Sequence, residues 1–306
     1  MTRRWRAPLG AVVAFAAAGL VACGAGAGSP SSEARLRVTA DFGGRVLVDD
    51  DAPKVRGADT VMRLVQRNAK VTTRYGGGFV QSIDGLAGGQ SGGRPVDWFF
   101  YVDGVLSDQG AAQVRVGDGD VVWWDHHDWG SGPGSGSAVV GSFPAPFRSE
   151  AALACLPATA AACGAARRAL TRAGARVEDV APAALGEGDV PGVLVGTSRT
   201  IRDTPTGRLL HDGPEASGVY ARPSRDGNTI ALLDERAHRV RSAGAGTGLV
   251  AATRTEGKPP VWSVTGTDDA GVLAAAAALT RDRLEGRFAI AVQGADTTAL
   301  PVERAG

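Results

Sequence analysis

Eight consecutive residues, Gly130-Ser131-Gly132-Pro133-Gly134-Ser135-Gly136-Ser137, carry no apolar side chain and no backbone bias toward helix or strand. Periodic structure cannot cross such a run, so a chain of 306 residues is divided there. The expected organisation is a unit over 35–129, a linker over 130–144 and a second unit over 145–306. Each piece is of ordinary domain size, and 43% hydrophobic residues are enough for folded cores. Lys+Arg number 33 against 32 Asp+Glu, nearly all the cations are arginine, and they are interleaved with acids along the chain. No basic tract suited to nucleic acid results.

The first residues read as an address. Arg3, Arg4 and Arg6 precede an apolar run from Ala7 to Ala22, too short for a membrane span of about 20 residues and patterned as a signal peptide over 1–22. The run ends in Leu20-Val21-Ala22-Cys23, which resembles the lipobox of bacterial lipoproteins. The resemblance implies that Cys23 becomes the acylated mature N-terminus, followed by a tether over 23–34. Each buried CH₂ contributes about 0.8 kcal/mol, so two or more palmitate-like chains hold a protein where one does not. Ala25-Gly26-Ala27 also fits the small-x-small rule, and cleavage after Ala27 would release a soluble protein. Loss of residues 1–22 removes three positive charges, leaving 30 against 32 and a net charge of −2.

Cys155 and Cys163 are then the remaining cysteines, eight apart, in a compartment where disulfides persist. A bridge would pin a strand end to a helix start; two buried thiols are the alternative.

In the first unit, alternation marks strands at Leu36 to Ala40 and Arg45 to Val48. A helix follows, with Asp59 as its N-cap and Val61, Met62, Leu64 and Val65 on one side. Strand patterns return at Lys70 to Arg74, Phe79 to Ile83, Trp98 to Val102, Ala112 to Val116 and Val121 to Asp125. The order of Gly76-Gly77-Gly78-Phe79-Val80, Ser82-Ile83-Asp84-Gly85, Asp97-Trp98-Phe99-Phe100-Tyr101-Val102-Asp103-Gly104 and Val116-Gly117-Asp118-Gly119-Asp120-Val121-Val122-Trp123 is similar to the transcobalamin-like C-terminal domain, DUF4430. The resemblance covers roughly 36–129 and implies an α+β, β-grasp-like fold. In the vertebrate vitamin B12 carriers that domain closes over a ligand held by a larger helical domain. No helical toroid is legible in the rest of this chain, so a cobalamin function does not carry over whole.

Trp98, Phe100 and Val102 alternate with Phe99 and Tyr101, so both faces of this strand require cover. Either the sheet is sandwiched, or one face binds a ligand through Trp98, Phe100, Tyr101, Asp103, Gly104, Trp123 and Trp124. Asp103-Gly104 reads first as a hairpin turn, and Gly117-Asp118-Gly119-Asp120 as a turn rather than a calcium loop. Trp123-Trp124-Asp125-His126-His127-Asp128-Trp129 leaves three readings. They are a metal held by His126 and Asp128, an indole platform, and a strand end whose polar residues fray into the linker. Neighbouring His side chains on a strand face oppositely, against a shared ion.

The second unit alternates apolar strands with helices. The strands are a short one reaching Cys155, Ala175 to Val177, Gly192 to Gly196, Gly218 to Ala221, Thr229 to Leu233, Val261 to Val264 and Phe288 to Val292. The helices run from Thr159 to Ala173 and from Thr267 or Asp268 to Leu284. The pattern predicts an α/β unit with a mostly parallel sheet. Its candidate ligand turns are Gly196-Thr197-Ser198-Arg199 and Thr265-Gly266-Thr267-Asp268-Asp269, the second better read as a helix cap. No nucleophile elbow or His-Glu-x-x-His appears, and His211 and His238 stand alone.

The sequence therefore predicts a non-catalytic lipoprotein anchored on the extracytoplasmic face of the cell membrane. Its expected role is to bind a cobalamin-like or other small ligand, in company with a membrane transporter. No cofactor is expected. An envelope protein that binds a protein or polysaccharide partner is the competing reading.

Overall fold

The computed structural model describes residues 34–56, 59–130 and 138–303. Cys23, the signal segment and Ser131 to Ser137 lie outside them. In the first unit β1 (Arg35–Ala40) and β2 (Arg45–Asp50) form a hairpin, followed by α1 (Val61–Asn68). A small antiparallel sheet of β3 (Val71–Arg74), β4 (Phe79–Ile83) and β5 (Leu86–Ala87) comes next, and then β6 (Gly89–Ser91), β7 (Arg94–Val102), β8 (Val105–Leu106) and β9 (Val121–Asp128). The main sheet runs β2-β1-β9-β7-β6, with β8 beside β7. All its pairs are antiparallel except that of β1 with β9, which places the first and last strands side by side in the centre. This is the β-grasp-like arrangement expected.

Val61, Met62, Leu64 and Val65 of α1 pack on Leu36, Val38, Trp98, Phe100, Val122 and Trp124. The helix is capped by Thr60, which has extended backbone angles and whose Oγ1 accepts from Arg63 N at 3.3 Å. Asp59 is not the cap: its buried carboxylate accepts from Arg56 N and pairs with Arg67. The strand expected at Ala112 to Val116 does not form. Carbonyls of this stretch and of the residue before it meet N–H groups that the first turn of a helix leaves unpaired, Val114 O accepting from Val61 N and Ala111 O from Met62 N, each at 2.9 Å.

The second unit contains β10 (Glu150–Cys155), α2 (Ala160–Arg172), β11 (Arg176–Asp179), β12 (Gly192–Thr197), α3 (Ser198–Ile201), α4 (Pro205–Asp212) and α5 (Pro214–Ser217). It continues with β13 (Ala221–Pro223), β14 (Ile230–Leu233), β15 (Arg239–Ala243), β16 (Thr247–Thr253), β17 (Val261–Gly266), α6 (Asp269–Ala277), α7 (Arg281–Leu284), β18 (Ala289–Gln293) and β19 (Asp296–Leu300). Its large sheet has the order β11-β10-β12-β17-β16-β18-β19. The β11, β10, β12, β17 and β18 strands point one way, β16 and β19 the other. A separate antiparallel sheet joins β13, β14 and β15.

Several boundaries differ from expectation. Gly218 is a left-handed cap ending α5, so the strand there begins only at Ala221. The single helix expected up to Leu284 is two, α6 ending at Ala277 and α7 restarting after Thr280. The stretch expected as linker is core from Ala138 onward: Ala138, Val139 and Val140 are buried, and Val139 N donates to Gly104 O at 2.8 Å. Cys155 and Cys163 are bridged, with Cα atoms 5.9 Å apart, tying the end of β10 to the first turn of α2.

Candidate functional site

Strand alternation on β7 and β9 sends side chains to two different destinations. Facing pairs are Phe100 with Trp124 and Tyr101 with Trp123. Trp98, Phe100 and Trp124 point toward α1, while Tyr101 and Trp123 join a core shared with the second unit, among Val139, Leu194, Leu249 and Phe288. Phe288 holds this junction, its ring meeting those of Phe42, Tyr101, Trp123 and His127 at centroid distances of 5.1 to 5.7 Å. The second face of the aromatic strand is thus covered by the chain's own second half.

The polar end of β9 does not fray. Asp125, His126 and His127 are all buried, because β9 is flanked by β1 and β7 along its length and the second unit lies over Asp125 and His127. Asp125 Oδ1 accepts from His127 Nδ1 at 2.7 Å and Phe42 N at 3.1 Å; Oδ2 accepts from Gly43 N at 2.8 Å and from the Thr39 hydroxyl. Thr39 Oγ1 in turn accepts from Trp123 Nε1 at 2.7 Å. A buried carboxylate with four donors is satisfied. His127 is stacked between Phe42 and Phe99, each 4.6 Å away. His126 Nε2 lies 3.1 Å from Ala87 O, and Asp128 pairs with Arg94. These contacts engage both residues of the metal reading in holding strands together.

The Asp103-Gly104 turn joins β7 to β8 with φ of 50° and 77°, the left-handed pair a two-residue hairpin needs. It is also a joint. Asp103 Oδ1 accepts from Val121 N at 2.9 Å, and its other oxygen pairs with Arg148, which lies between the units. Arg148 also contacts Asp120 at 3.1 Å and Asp118 O at 3.3 Å, so the Gly-Asp turn serves the same clamp. Burial raises the Asp103 carboxyl to about 6 despite the opposing bond from Val121 N and the charge of Arg148.

On the α1 side a cavity of about 170 Å³ opens, walled by Met62, Phe79, Val80, Trp98, Phe100 and Trp124 and floored by the turn at Leu106 to Ala111. No charged residue lines it among the described residues. Trp98 Nε1 donates to Leu86 O at 3.0 Å. Trp124 Nε1–H is buried without a hydrogen-bond partner among the described residues. At the mouth, Tyr75 is 86% and Phe79 39% exposed, their rings edge to face at 6.2 Å. The Gly76-Gly77 turn between them takes φ of 69° and 94°, and added Cβ atoms there would meet nothing within 4 Å. These glycines serve backbone conformation, not packing.

Of the sequence-predicted ligand residues, the cavity gathers Trp98, Phe100 and Trp124. Tyr101 and Trp123 are sealed on the opposite face, and Asp103 and Gly104 belong to the clamp. Sequence reasoning passed over Met62, Phe79 and Val80 as lining; the Tyr75 to Phe79 run, two aromatics around three glycines, was the available signal. The Gly196 turn offers no crevice, since a Cβ there would meet Leu156, Ile201 and Thr200 within 2.9 Å. Asp268 caps α6, accepting from Gly271 N at 2.8 Å.

Fold and cavity together describe an α+β chain whose first unit presents an uncharged aromatic pocket. Residues 58–128, the segment from just before α1 to the end of β9, match the model of DUF4430, a domain of unknown function. No curated protein and no solved structure matches the chain.

Proposed function

We propose that this is an exported, lipid-anchored, non-catalytic binding protein of the cell envelope, and that the pocket of Trp98, Phe100 and Trp124 receives a flat, uncharged ring of its ligand. The observation that carries the reading is the wall of that pocket, where the rings of Trp98, Phe100 and Trp124 come together with no charged residue among the lining residues described. Ring stacking and apolar burial supply the affinity.

Size limits the ligand. Sites that enclose a drug-sized molecule run to roughly 300–1,000 Å³, so a corrin does not enter this cavity whole; a cobalamin-like ligand would engage it through an edge or a pendant ring. Covering of the Tyr101 and Trp123 face by the second unit leaves the α1-side cavity, with the exposed Phe79 at its rim, as the access to these rings. A protein partner inserting one aromatic side chain is the second reading, favoured by the same small volume. Titrating the full chain with hydroxocobalamin and with benzimidazole, a flat ring with one acceptor nitrogen, while following tryptophan fluorescence separates them. Saturable change with either supports a small ligand, and no change up to high micromolar concentration overturns it.

Anchoring rests on the Leu20-Val21-Ala22-Cys23 pattern and is tested separately. Cys23→Ser moves the protein from the membrane fraction to the soluble one; an unmodified N-terminus at Gly28 contradicts the anchor.

A further inference from the structure

The second unit carries a different kind of site. A cleft of about 570 Å³ between α4 and the start of the β13–β14 hairpin is lined by Arg202, Arg208, His211, Arg222 and Arg225, with Asp203 and Asp212. Four arginines against two aspartates give it two net positive charges with His211 neutral. Its arginines are held unequally. Arg202 Nη1 donates to Arg225 O at 3.3 Å and its Nε lies 3.3 Å from the exposed Asp203 carboxylate; Arg222 Nη2 donates to Asp212 O at 2.9 Å. Those bonds fix two guanidinium groups in place. Among the described residues the side chains of Arg208 and Arg225, both exposed, have no ion pair or hydrogen bond. His211 lines the cleft beside them.

An excess of like charge held in one cleft opposes folding, and guanidinium forks match the oxygens of phosphate bidentately. We propose that this cleft binds a phosphate group, with the exposed Arg208 and Arg225 as its ligands and Arg202 and Arg222 as its fixed walls. A phosphate monoester near neutral pH carries close to two negative charges, which balances the cleft; a carboxylate leaves one charge unanswered. This site is independent of the aromatic pocket and of what that pocket binds.

The test is titration of the full chain with inorganic phosphate, with acetate, and with phosphatidic acid vesicles beside phosphatidylcholine vesicles. It is run at ionic strength below about 0.05 M, where exposed charges are weakly screened. Arg208→Ala/Arg225→Ala is the test variant, chosen because neither side chain supports the fold, and Arg167→Ala/Arg176→Ala is the control with the same loss of charge. Expected is saturable phosphate binding, weaker by about tenfold or more in the test variant, as loss of two charge-assisted contacts requires, and retained in the control. Binding of phosphatidic acid vesicles alone, lost in the same variant, assigns the phosphate to a lipid headgroup and equally supports the site. Equal binding of acetate, equal loss in the control, or no binding in any arm overturns it.

Discussion

Arg148 grips Asp103 across the boundary between the two units, so the turn that most marks the first unit in sequence is also where the second unit is fastened. Gly104 belongs to the same joint, its carbonyl accepting from Val139 N, and a Cβ on it would lie 2.7 Å from Val139 O.

This joint predicts a pH dependence. Asp103 has a carboxyl raised from 3.8 to about 6 in the folded chain, chiefly by burial. Between those values the Asp103 carboxyl binds more protons in the folded form than in the unfolded one, so its contribution to stability is greatest below about 4 and is lost as pH rises through about 6, by about 3 kcal/mol. Urea midpoints across that range should lose most of the slope in Asp103→Asn. Arg148→Ala removes an influence that lowers the Asp103 value, so its slope should extend to higher pH; an unchanged profile in both variants contradicts the assignment.

Phe288 touches four rings of the first unit. Phe288→Ala should destabilise the whole chain by about 3–5 kcal/mol, measured by urea unfolding. Because both halves contribute to one core, the loss should appear in fluorescence and circular dichroism together rather than in one half alone.

Asp125 is bound on both oxygens by donors. In Asp125→Asn the amide NH₂ must face a donor wherever it points, leaving buried groups unpaired at a cost of about 2–4 kcal/mol. Chemical denaturation checks the value, and a cost under about 1 kcal/mol would show that the cluster rearranges freely.

Gly43 has φ of 84°, and a Cβ on it would lie 1.9 Å from Gly286 O. Its neighbour Phe42 already holds φ of 57°, a strained value for a bulky residue. Gly43→Ala should therefore lower thermal stability more than Gly76→Ala, where φ is similarly positive but no atom is near.

The disulfide closes a separation of eight residues, so reduction or Cys163→Ala should cost only about 2–3 kcal/mol. Thermal melts with and without reductant test this, and failure to fold when reduced would mean the bridge does more than hold a loop.

Much of the fold was legible where a single face or a single cap decides. The α1 stripe of Val61, Met62, Leu64 and Val65, the β4 strand and the Cys155–Cys163 bridge are all local patterns. What was not legible depends on distant partners. The β16 strand is fully buried, yet Thr247 to Thr253 reads as a small-residue stretch between a Gly-rich turn and a polar loop. Ala112 to Val116 has strand-like residues that serve the N-terminus of α1 instead. The buried polar end of β9 depends on Thr39, Phe42, Gly43 and Phe288, which come from both ends of the described chain. For the pocket, sequence supplied the indoles and Phe100, while Met62, Phe79 and Val80 are joined to them only by the packing of β4 and α1 on β7.

The most direct test of the central claim is the indole ¹⁵N–¹H spectrum of the full chain during titration with benzimidazole and with hydroxocobalamin. The Trp124 signal is assigned by its loss in Trp124→Phe. The account predicts that this signal moves saturably while those of Trp123 and Trp262, buried elsewhere, stay in place. A Trp124 signal unmoved by both probes up to high micromolar concentration, or equal movement of all six tryptophans, would contradict it.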